Sequence, residues 1–405
     1  MTNLPQGWEV KTLSEIGEII TGSTPSKSNV EFYGKDYPFF KPSDFEQGYF
    51  LENAGDNLSK LGFGKARQLP PKTILVVCIG SLGKVALTRV IGSCNQQINA
   101  IIPHKNIISE YIYYYCISSK FQSILFSKAP QTTLAIFNKT EFSKLEIIYP
   151  KDIKKQERIV GILDESFAKI DESIKILEQD LLNLDELMQS ALQKAFNPLK
   201  DNVKENYKLP QSWEWKSLGE IGEIITGTTP SKNNPNFYGN EYPLFKPSDL
   251  NGDIIIKYAS DNLSKLGFDN ARNLPKDTIL VVCIGASIGK VGLSGVNGSC
   301  NQQINAIIPN SAFTSKYLFF VCLSNYFQTI LKKNASQTTL PIINKTEFSK
   351  LQIPLPPLKE QEQIASHLDE LSSHVKNLKQ NYQAQIKNLQ ELKNSLLDKA
   401  FKGNL

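Results

Sequence analysis

The chain has 405 residues, of which 40% are hydrophobic, so it is too long for one ordinary core and is expected to form two or more domains. Its formal net charge of +5 is modest, so any contact with nucleic acid must come from local placement of Lys and Arg. The six cysteines form no Cys-x-x-Cys pair, which argues against zinc. No leader opens the chain, and its longest apolar run, residues 73–79, is far shorter than the roughly 20 residues of a membrane span. We therefore expect a cytoplasmic protein without membrane contact.

The sequence is a tandem duplication. The string GEIITGSTPSK at residues 17–27 returns as GEIITGTTPSK at residues 222–232, a shift of 205. After one inserted residue near Ala286 the shift is 206, which relates SCNQQINAIIP at residues 93–103 to the same string at residues 299–309. Solenoid repeats are about 20 to 50 residues long, so each of these copies is expected to contain a domain of its own.

In chain order, residues 1–150 mix short β-rich runs, turns and short helical stretches, which predicts an α/β (mixed α+β) globular domain. Residues 151–197 carry a heptad pattern of apolar residues, which predicts a long coiled-coil helix that acts as a spacer. Residues 198–210 are polar and are expected to form a linker. The pattern then repeats, with a second globular domain at residues 211–356 and a second helix at residues 357–402.

Each predicted helix has an apolar stripe that water would contact if the helix stood alone, and the other helix is the obvious partner. Antiparallel pairing within one chain would let a tandem repeat adopt pseudo-two-fold symmetry. We therefore expect two α/β domains in tandem, each followed by a long α-helix, with the helices paired as an antiparallel coiled coil.

Three strings carry a family resemblance: the opening LPQGWEVKTLSEIGEIITGSTPS, the internal NQQINAIIP, and PLPPLKEQEQIASHLDEL at residues 354–371. Together with the order globule, helix, globule, helix, they resemble the specificity subunits of type I restriction-modification enzymes. In the first copy the proline-rich string is degraded to IIYPKDIKKQERIVGILDE, although Gln156 and Glu157 are kept.

The resemblance implies that each globule is a target-recognition domain for one half of a split, double-stranded DNA target. It also implies that the helices separate the globules and dock two methyltransferase subunits, and that restriction subunits join the complex. The chain itself would be non-catalytic and would carry no cofactor, because S-adenosylmethionine, ATP and Mg would belong to the partner subunits.

The strings that most resemble catalytic or metal sites agree with that expectation. The string Asn234-Pro235-Asn236-Phe237 lacks the second proline of an amino-methyltransferase tetrapeptide. The strings CIGSLGK and CIGASIGK have the wrong glycine spacing for a phosphate loop and are better explained as turns after buried strands. His367 and His374 lack a third metal ligand. We expect no catalytic and no metal-binding residue.

The helical segments 151–196 and 357–405 together carry a charge of −2, which leaves +7 on the rest of the chain. Lys and Arg in turn-rich segments of the globules could grip phosphate or guanine, and the amides of NQQIN and QTT could pair with adenine. The alternatives are ordinary surface charge and buried amides that satisfy a core turn. The candidate DNA-binding residues are Lys27, Lys41, Ser43, Asp44, Arg67, Lys84, Gln96, Gln97, Gln131 and Thr132, with Lys232, Lys246, Ser248, Asp249, Arg272, Lys290, Gln302, Gln303, Gln337 and Thr338 in the second copy.

Phe196 and Phe401 lie at the ends of the two helices and are candidate anchors for the methyltransferase, the alternative being that they cap the intrachain seam. Because the two copies share their strings, they should recognise nearly the same bases and give a split, nearly palindromic target with half-site centres about 10 base pairs apart. Two other classes remain open: a scaffolding coiled-coil protein, and an independent methyltransferase or nuclease.

Overall fold

The structure, a computed structural model, describes residues 4–128, 136–196, 209–252, 254–336 and 340–405. The chain forms two compact units. The first combines residues up to 177 with residues 383–405, and the second comprises residues 178–382. Each unit therefore contains one globule and a segment of each long helix.

The first unit is built around a five-stranded sheet of order β2-β9-β6-β7-β4, with a three-stranded sheet β5-β3-β8 and a two-stranded sheet β1-β10. Its strands are β1 (Trp8–Thr12), β2 (Gly17–Thr21), β3 (Tyr33–Phe40), β4 (Phe50–Leu51), β5 (Asp56–Leu58), β6 (Ile74–Val77), β7 (Val85–Thr88), β8 (Ser93–Cys94), β9 (Ile98–Pro103) and β10 (Glu146–Pro150). Its helices are α1 (Leu13–Ile16), α2 (Lys60–Lys65), α3 (Ser109–Ile117), α4 (Ser119–Lys128), α5 (Lys139–Ser143) and the first part of α6 (Ile153–Ala195).

The second unit has the same sheets in the same strand orders, β12-β19-β16-β17-β14, β15-β13-β18 and β11-β20. Its strands are β11 (Glu214–Ser217), β12 (Gly222–Thr226), β13 (Tyr238–Phe245), β14 (Ile255–Ile256), β15 (Asp261–Leu263), β16 (Ile279–Val282), β17 (Val291–Ser294), β18 (Ser299–Cys300), β19 (Ile304–Pro309) and β20 (Gln352–Leu355). Its helices are α7 (Leu218–Ile221), α8 (Lys265–Asn270), α9 (Ser315–Leu323), α10 (Asn325–Asn334), α11 (Lys345–Ser349) and the first part of α12 (Leu358–Phe401).

The five-stranded sheet of the first unit is buried on both faces, which explains the continuous apolar run of β6. Successive side chains of a strand point to opposite faces. Ile74 and Val76 enter the core beneath α3 and α4, whereas Leu75 and Val77 enter a second core on the other face. A strand covered on both faces needs apolar residues at every position rather than in alternation.

The helix segments run antiparallel within each unit. In the first unit Lys393 pairs with Asp171, and Ile176 lies beside Asn388 and Leu389, so numbers rise along α6 as they fall along α12. In the second unit Lys379 pairs with Asp185, and residues 187–195 of α6 lie beside residues 363–371 of α12. The predicted fold class of two α/β domains, each followed by a long helix, is confirmed.

The heptad pattern of residues 357–402 includes Leu378 and Leu392, and the prediction that these two residues lie in the seam between the helices is wrong. Leu378 and Leu392 are 40% and 46% exposed, whereas the neighbouring Lys379 and Lys393 are better covered. Lys393 Nζ lies 4.8 Å from the ring centroid of Phe167 and pairs with Asp171, so its aliphatic stem covers the seam while its charge is neutralised. A heptad pattern is recognised from apolar residues alone, so it does not identify a lysine whose aliphatic part packs in the seam.

The prediction that Phe196 and Phe401 face outward as partner anchors also needs correction. Phe401 is 6% exposed and its ring meets Tyr111 and Tyr115 edge-on, at centroid distances of 5.4 and 5.1 Å. Phe196 is 2% exposed and meets Tyr317 at 5.7 Å. The end of α12 thus completes the core of the first globule, and the end of α6 completes that of the second, so the two rings pack against globule cores and not against the seam between the helices.

A buried glutamine fixes the start of each long helix against its globule. Gln156 is fully buried, and its Oε1 accepts from Ile108 N at 3.0 Å. Its Nε2 donates to Pro150 O at 2.9 Å and to Asn106 O at 3.3 Å. Gln361 Nε2 donates to Pro356 O at 3.0 Å, and Gln361 Oε1 accepts from Thr314 N at 3.2 Å. Each amide therefore satisfies backbone groups of the segments that precede the long helix and the shorter helix α3 or α9 packed beside it.

Candidate nucleic-acid interface

Loops from distant parts of the first repeat meet at one end of the five-stranded sheet. Ser23 N, just after β2, donates to Cys94 O at 3.0 Å, and Asn95 N donates to Phe40 O, the last residue of β3, at 3.1 Å. Cys78 N, just after β6, donates to Gln97 O at 2.7 Å. We call this end the polar end; in the first unit it comprises Thr21–Lys27, Lys41, Arg67, Ile79–Lys84 and Asn95–Gln97.

Arg67 is held at the polar end by its own backbone and side chain. One guanidinium nitrogen of Arg67 donates to Thr21 O at 2.5 Å, and Arg67 N donates to Ser23 Oγ at 3.3 Å. The residue is exposed, and the bond to Thr21 O uses one of the five N–H donors of its guanidinium. This arrangement presents a fixed positive charge that can bind phosphate or a base edge.

The lysine candidates differ in their surroundings. Lys27 is exposed, whereas Lys41 is half-buried and pairs with Asp56. Lys84 is also half-buried, and its Nζ lies 3.4 Å from Glu46 Oε1. Asp56 and Glu46 therefore offset two of the three lysine charges.

The acidic candidate Asp44 is used inside the fold. It is 8% exposed, its Oδ2 accepts from Lys41 N at 2.7 Å and its Oδ1 accepts from Gly55 N at 3.0 Å. These bonds close the loop between β3 and β5, while the neighbouring Ser43 is exposed. A contact of Asp44 with DNA stays a prediction.

The two adjacent glutamines have different environments. Gln97 Oε1 accepts from Asn95 Nδ2 at 2.7 Å, and Gln97 Nε2 donates to Ile79 O at 3.4 Å, so this amide holds the turn together. Gln96 is exposed and accepts a hydrogen bond from Thr24 Oγ1 at 2.5 Å. The sequence analysis missed Thr24, although it lies in the repeated TPSK string that drew attention to Lys27.

The QTT candidates Gln131 and Thr132, with Gln337 and Thr338 in the second copy, lie outside the described residues. The chain resumes at Ile136, which pairs with Ile79 at the polar end, and Ile342 pairs likewise with Ile284. The described residues Ile136 and Ile342, which follow the two gaps, therefore lie at the candidate interface.

The second unit repeats the arrangement. A guanidinium nitrogen of Arg272 donates to Thr226 O at 2.7 Å, Thr229 Oγ1 donates to Gln302 Oε1 at 2.9 Å, and Lys246 pairs with Asp261. That hydrogen bond from Lys246, with the charge of nearby Lys232, holds the pKa of Asp261 below its usual value. The remaining candidates follow their counterparts: Ser248 and Lys232 are exposed, Asp249 accepts from Lys246 N at 2.8 Å, and Gln303 Oε1 accepts from Asn301 Nδ2 at 2.9 Å.

One charged contact differs between the polar ends. Asn251 occupies the position that matches Glu46, so Lys290 has no carboxylate where Lys84 has one. Lys290 Nζ instead donates to Pro247 O at 3.3 Å. Among the described residues, the second polar end is therefore the more positive at this point.

The described residues contain no group of three or more His, Cys, Asp or Glu placed to hold a metal ion. All six cysteines are free and buried, and burial raises the pKa of Cys78 and Cys283 to about 12. These thiols stay protonated and behave as small apolar core residues. No helix among the described segments is long and apolar enough to cross a membrane.

The profile of the type I restriction modification DNA specificity domain matches residues 5–181 and 210–388. The chain belongs to this family. Its members recognise DNA and are not themselves catalytic. The two matched segments each contain one globule and the first part of the helix that follows it.

Curated relatives carry the specificity-subunit description. The HindI specificity subunit of Haemophilus influenzae is 39% identical over 186 residues, which cover 44% of this chain and 40% of that protein. The MjaIX specificity subunit of Methanocaldococcus jannaschii is 24% identical over 418 residues, which cover 99% of this chain and 94% of that protein.

Solved structures share the fold. One of them is a chain from a structure that concerns complex assembly and conformational transition of the type I R-M system. It aligns with a TM-score of 0.82 at 20% identity, over 100% of both chains. The HsdS subunit from Thermoanaerobacter tengcongensis aligns with a TM-score of 0.59 at 21% identity, over 99% of this chain and 98% of that one. The specificity-subunit fold therefore extends over the whole chain.

Proposed function

We propose that this chain gives a type I restriction-modification complex its DNA sequence specificity, and that the polar end of each unit recognises one half of a split double-stranded target. The observation that carries this proposal is the repetition of one exposed polar arrangement in both units. Arg67 and Arg272 are held by the same backbone carbonyl of β2 and β12, and Gln96 and Gln302 by the same threonine. Two equal surfaces of this kind suit two half-sites of nearly equal sequence.

The resulting target is split and nearly palindromic. The tandem repeat in the sequence supports half-sites that are inverted copies of each other, so that the second surface meets the opposite DNA strand. Half-sites seen from one side of the duplex have centres about 10 base pairs apart. Single differences such as Glu46 against Asn251 can make the palindrome imperfect.

Arginine substitution tests DNA binding by the polar ends. Arg67→Ala and Arg272→Ala should each weaken a complex with duplex DNA in a gel shift at low salt, because each removes a fixed cation. Lys169→Ala is the matched control, since Lys169 is an exposed cation on α6 that pairs with Glu165. A scaffolding protein would give no DNA complex, and equal loss in all three variants would contradict the polar-end assignment.

We also propose that the helices dock two methyltransferase subunits through matched surfaces. Along the long helices the repeat shift returns to 205, as the match of Gln156 with Gln361 shows, so Leu187 on α6 and Leu392 on α12 occupy equivalent positions; they are 48% and 46% exposed. Exposed leucines at equivalent positions, one in each unit, support two docking sites in place of the buried Phe196 and Phe401. Restriction subunits then join this assembly.

The docking proposal predicts a change in stoichiometry. Leu187→Asp or Leu392→Asp alone should leave one methyltransferase per chain after co-purification, and the double variant should leave none. Leu182→Asp, at a 58% exposed position on α6, serves as a control for added charge. Full stoichiometry in the double variant would exclude this surface.

We place the chemistry in the partner subunits, which would carry S-adenosylmethionine, ATP and Mg. Incubation of the pure chain with duplex DNA and either S-adenosylmethionine or magnesium should give no methylation and no cleavage. If methylation or cleavage activity co-purifies with the chain, the chain is instead an independent methyltransferase or nuclease.

A further inference from the structure

The turn before β9 presents one glutamine of an adjacent pair and ties down the other. In the turn, Ile98 N donates to Asn95 O at 3.2 Å, which places Gln96 and Gln97 at its two central positions. Gln97 is half-buried, and its side-chain amide and backbone N–H all bond within the turn or to Ile79. Gln97 therefore has a structural role.

Gln96 has the opposite environment. Its side chain is exposed, and in the described part of the chain its amide has one bonded partner, the hydroxyl of Thr24. Because Thr24 donates to Oε1, both Nε2 hydrogens and a second lone pair of Oε1 remain available. The bond also restricts the rotation of a side chain that would otherwise lose conformational entropy on binding.

The second unit has the same device. Ile304 N donates to Asn301 O at 3.1 Å, Gln303 is bonded within its turn, and Thr229 Oγ1 donates to Gln302 Oε1 at 2.9 Å. Thr24 and Thr229 are matched in the repeat, as are Gln96 and Gln302. The same free amide edge is thus presented twice.

We propose that Gln96 and Gln302 each recognise an adenine at the same position of the two half-sites, and that Thr24 and Thr229 are positioning residues that orient the amides. An oriented amide with a free acceptor and a free donor matches the N6 amino group and N7 of adenine in the major groove. This inference rests on the proposed function, because it assigns a base to the polar ends. A bidentate pair of this kind discriminates against other bases by about 5- to 150-fold.

Selection from randomised duplexes by the full chain, in complex with its methyltransferase, tests the assignment. The wild type should select a split motif with an adenine at one matched position in each half. Gln96→Glu should change that base in one half only, toward cytosine, because a carboxylate accepts from the cytosine N4 amino group. Gln302→Glu should make the same change in the other half.

The threonines separate positioning from structural support. Thr24→Val keeps the side-chain shape but removes the hydroxyl, so it should reduce the preference for adenine several-fold without changing the motif elsewhere. Thr24→Ser restores the hydroxyl and should restore the preference. Gln156→Leu, which removes a buried amide at the start of α6 outside the polar end, is the control: it should lower the thermal unfolding midpoint while leaving the base preference intact.

The outcomes distinguish this inference from the proposed function. If the wild type selects no motif at all, the proposed function fails. If it selects a motif that neither Gln96→Glu nor Gln302→Glu alters, or that both alter at every position, the adenine assignment is overturned while DNA recognition stands. Should Gln96→Glu not fold, Gln302→Glu and Thr24→Val decide the question alone.

Discussion

The two units differ most clearly where each globule meets the start of its long helix. In the second unit Trp213 Nε1 donates to Glu360 Oε1 at 3.1 Å. In the first unit Trp8 Nε1 is buried without a partner among the described residues, and Lys155, which matches Glu360 in the repeat, lies with its Nζ 5.5 Å from the Trp8 ring centroid. The tryptophan at this repeated position thus forms a hydrogen bond in the second unit, whereas in the first unit a lysine lies over its ring.

The polar ends, unlike the helix starts, do not differ in these contacts: their arginine, glutamine and threonine contacts are the same in both units. Contacts at the helix start thus differ between the units, whereas the contacts of the polar ends are kept in both. Each unit therefore supplies the natural control for a substitution in the other.

The largest expected effect comes from the aromatic residues that end the helices. Phe401→Ala should lower the free energy of unfolding of the first unit by about 3 to 5 kcal/mol, because it leaves a cavity beside Tyr111 and Tyr115. Hydrogen exchange of the full chain should accelerate in α3 and leave α9 unchanged. Phe196→Ala should reverse that pattern, and Leu392→Ala, at an exposed site, should change little. If Phe401→Ala accelerated exchange only in α9, the conclusion that the end of α12 packs against the first globule would be wrong.

A smaller loss is expected from the buried glutamines at the helix starts. Gln156→Leu leaves Ile108 N and the carbonyls of Asn106 and Pro150 without their amide partner, at a cost of about 2 to 4 kcal/mol. Gln361→Leu removes two such bonds and should cost less. Urea unfolding curves of the two variants would measure the difference, and an equal loss would show that the third bond contributes nothing.

Introducing the tryptophan–glutamate contact of the second unit into the first unit should stabilise the first unit. Lys155→Glu gives Trp8 Nε1 the acceptor that Glu360 provides for Trp213, which is worth about 1 kcal/mol. The reverse change, Glu360→Lys, should destabilise the second unit by a similar amount. Calorimetric midpoints test both, and a loss of stability in Lys155→Glu would mean that the cation over the ring outweighs the missing hydrogen bond.

The smallest effect concerns the charge difference between Glu46 and Asn251, which occupy matched positions in the repeat. Glu46→Asn reproduces Asn251 and removes the carboxylate beside Lys84, so one more cation becomes available to phosphate. The slope of log affinity against log salt concentration should become steeper by about 0.9. Asn251→Glu should make it shallower, and unchanged slopes in both variants would show that these lysines do not contact phosphate.

Local sequence patterns predicted the order of the domains and the long helices, because heptads and buried strands are recognised from residues that are close together in the chain. The polar end could be predicted only as a set of candidates, since Thr24 meets Gln96 and Arg67 meets Thr21 through the pairing of strands far apart in the chain. The burial of Phe401 against Tyr111 depends on a contact between opposite ends of the sequence. No local pattern distinguishes that core residue from an exposed anchor.

The most direct test of the central claim, that the two units recognise nearly the same bases, is a genome-wide map of methylated adenines in cells that express this chain with its methyltransferase. The matched polar ends predict a split motif whose halves are nearly inverted copies, with centres about 10 base pairs apart. Two unrelated half-sites would contradict the claim and would assign base recognition to the loops in which the repeats diverge.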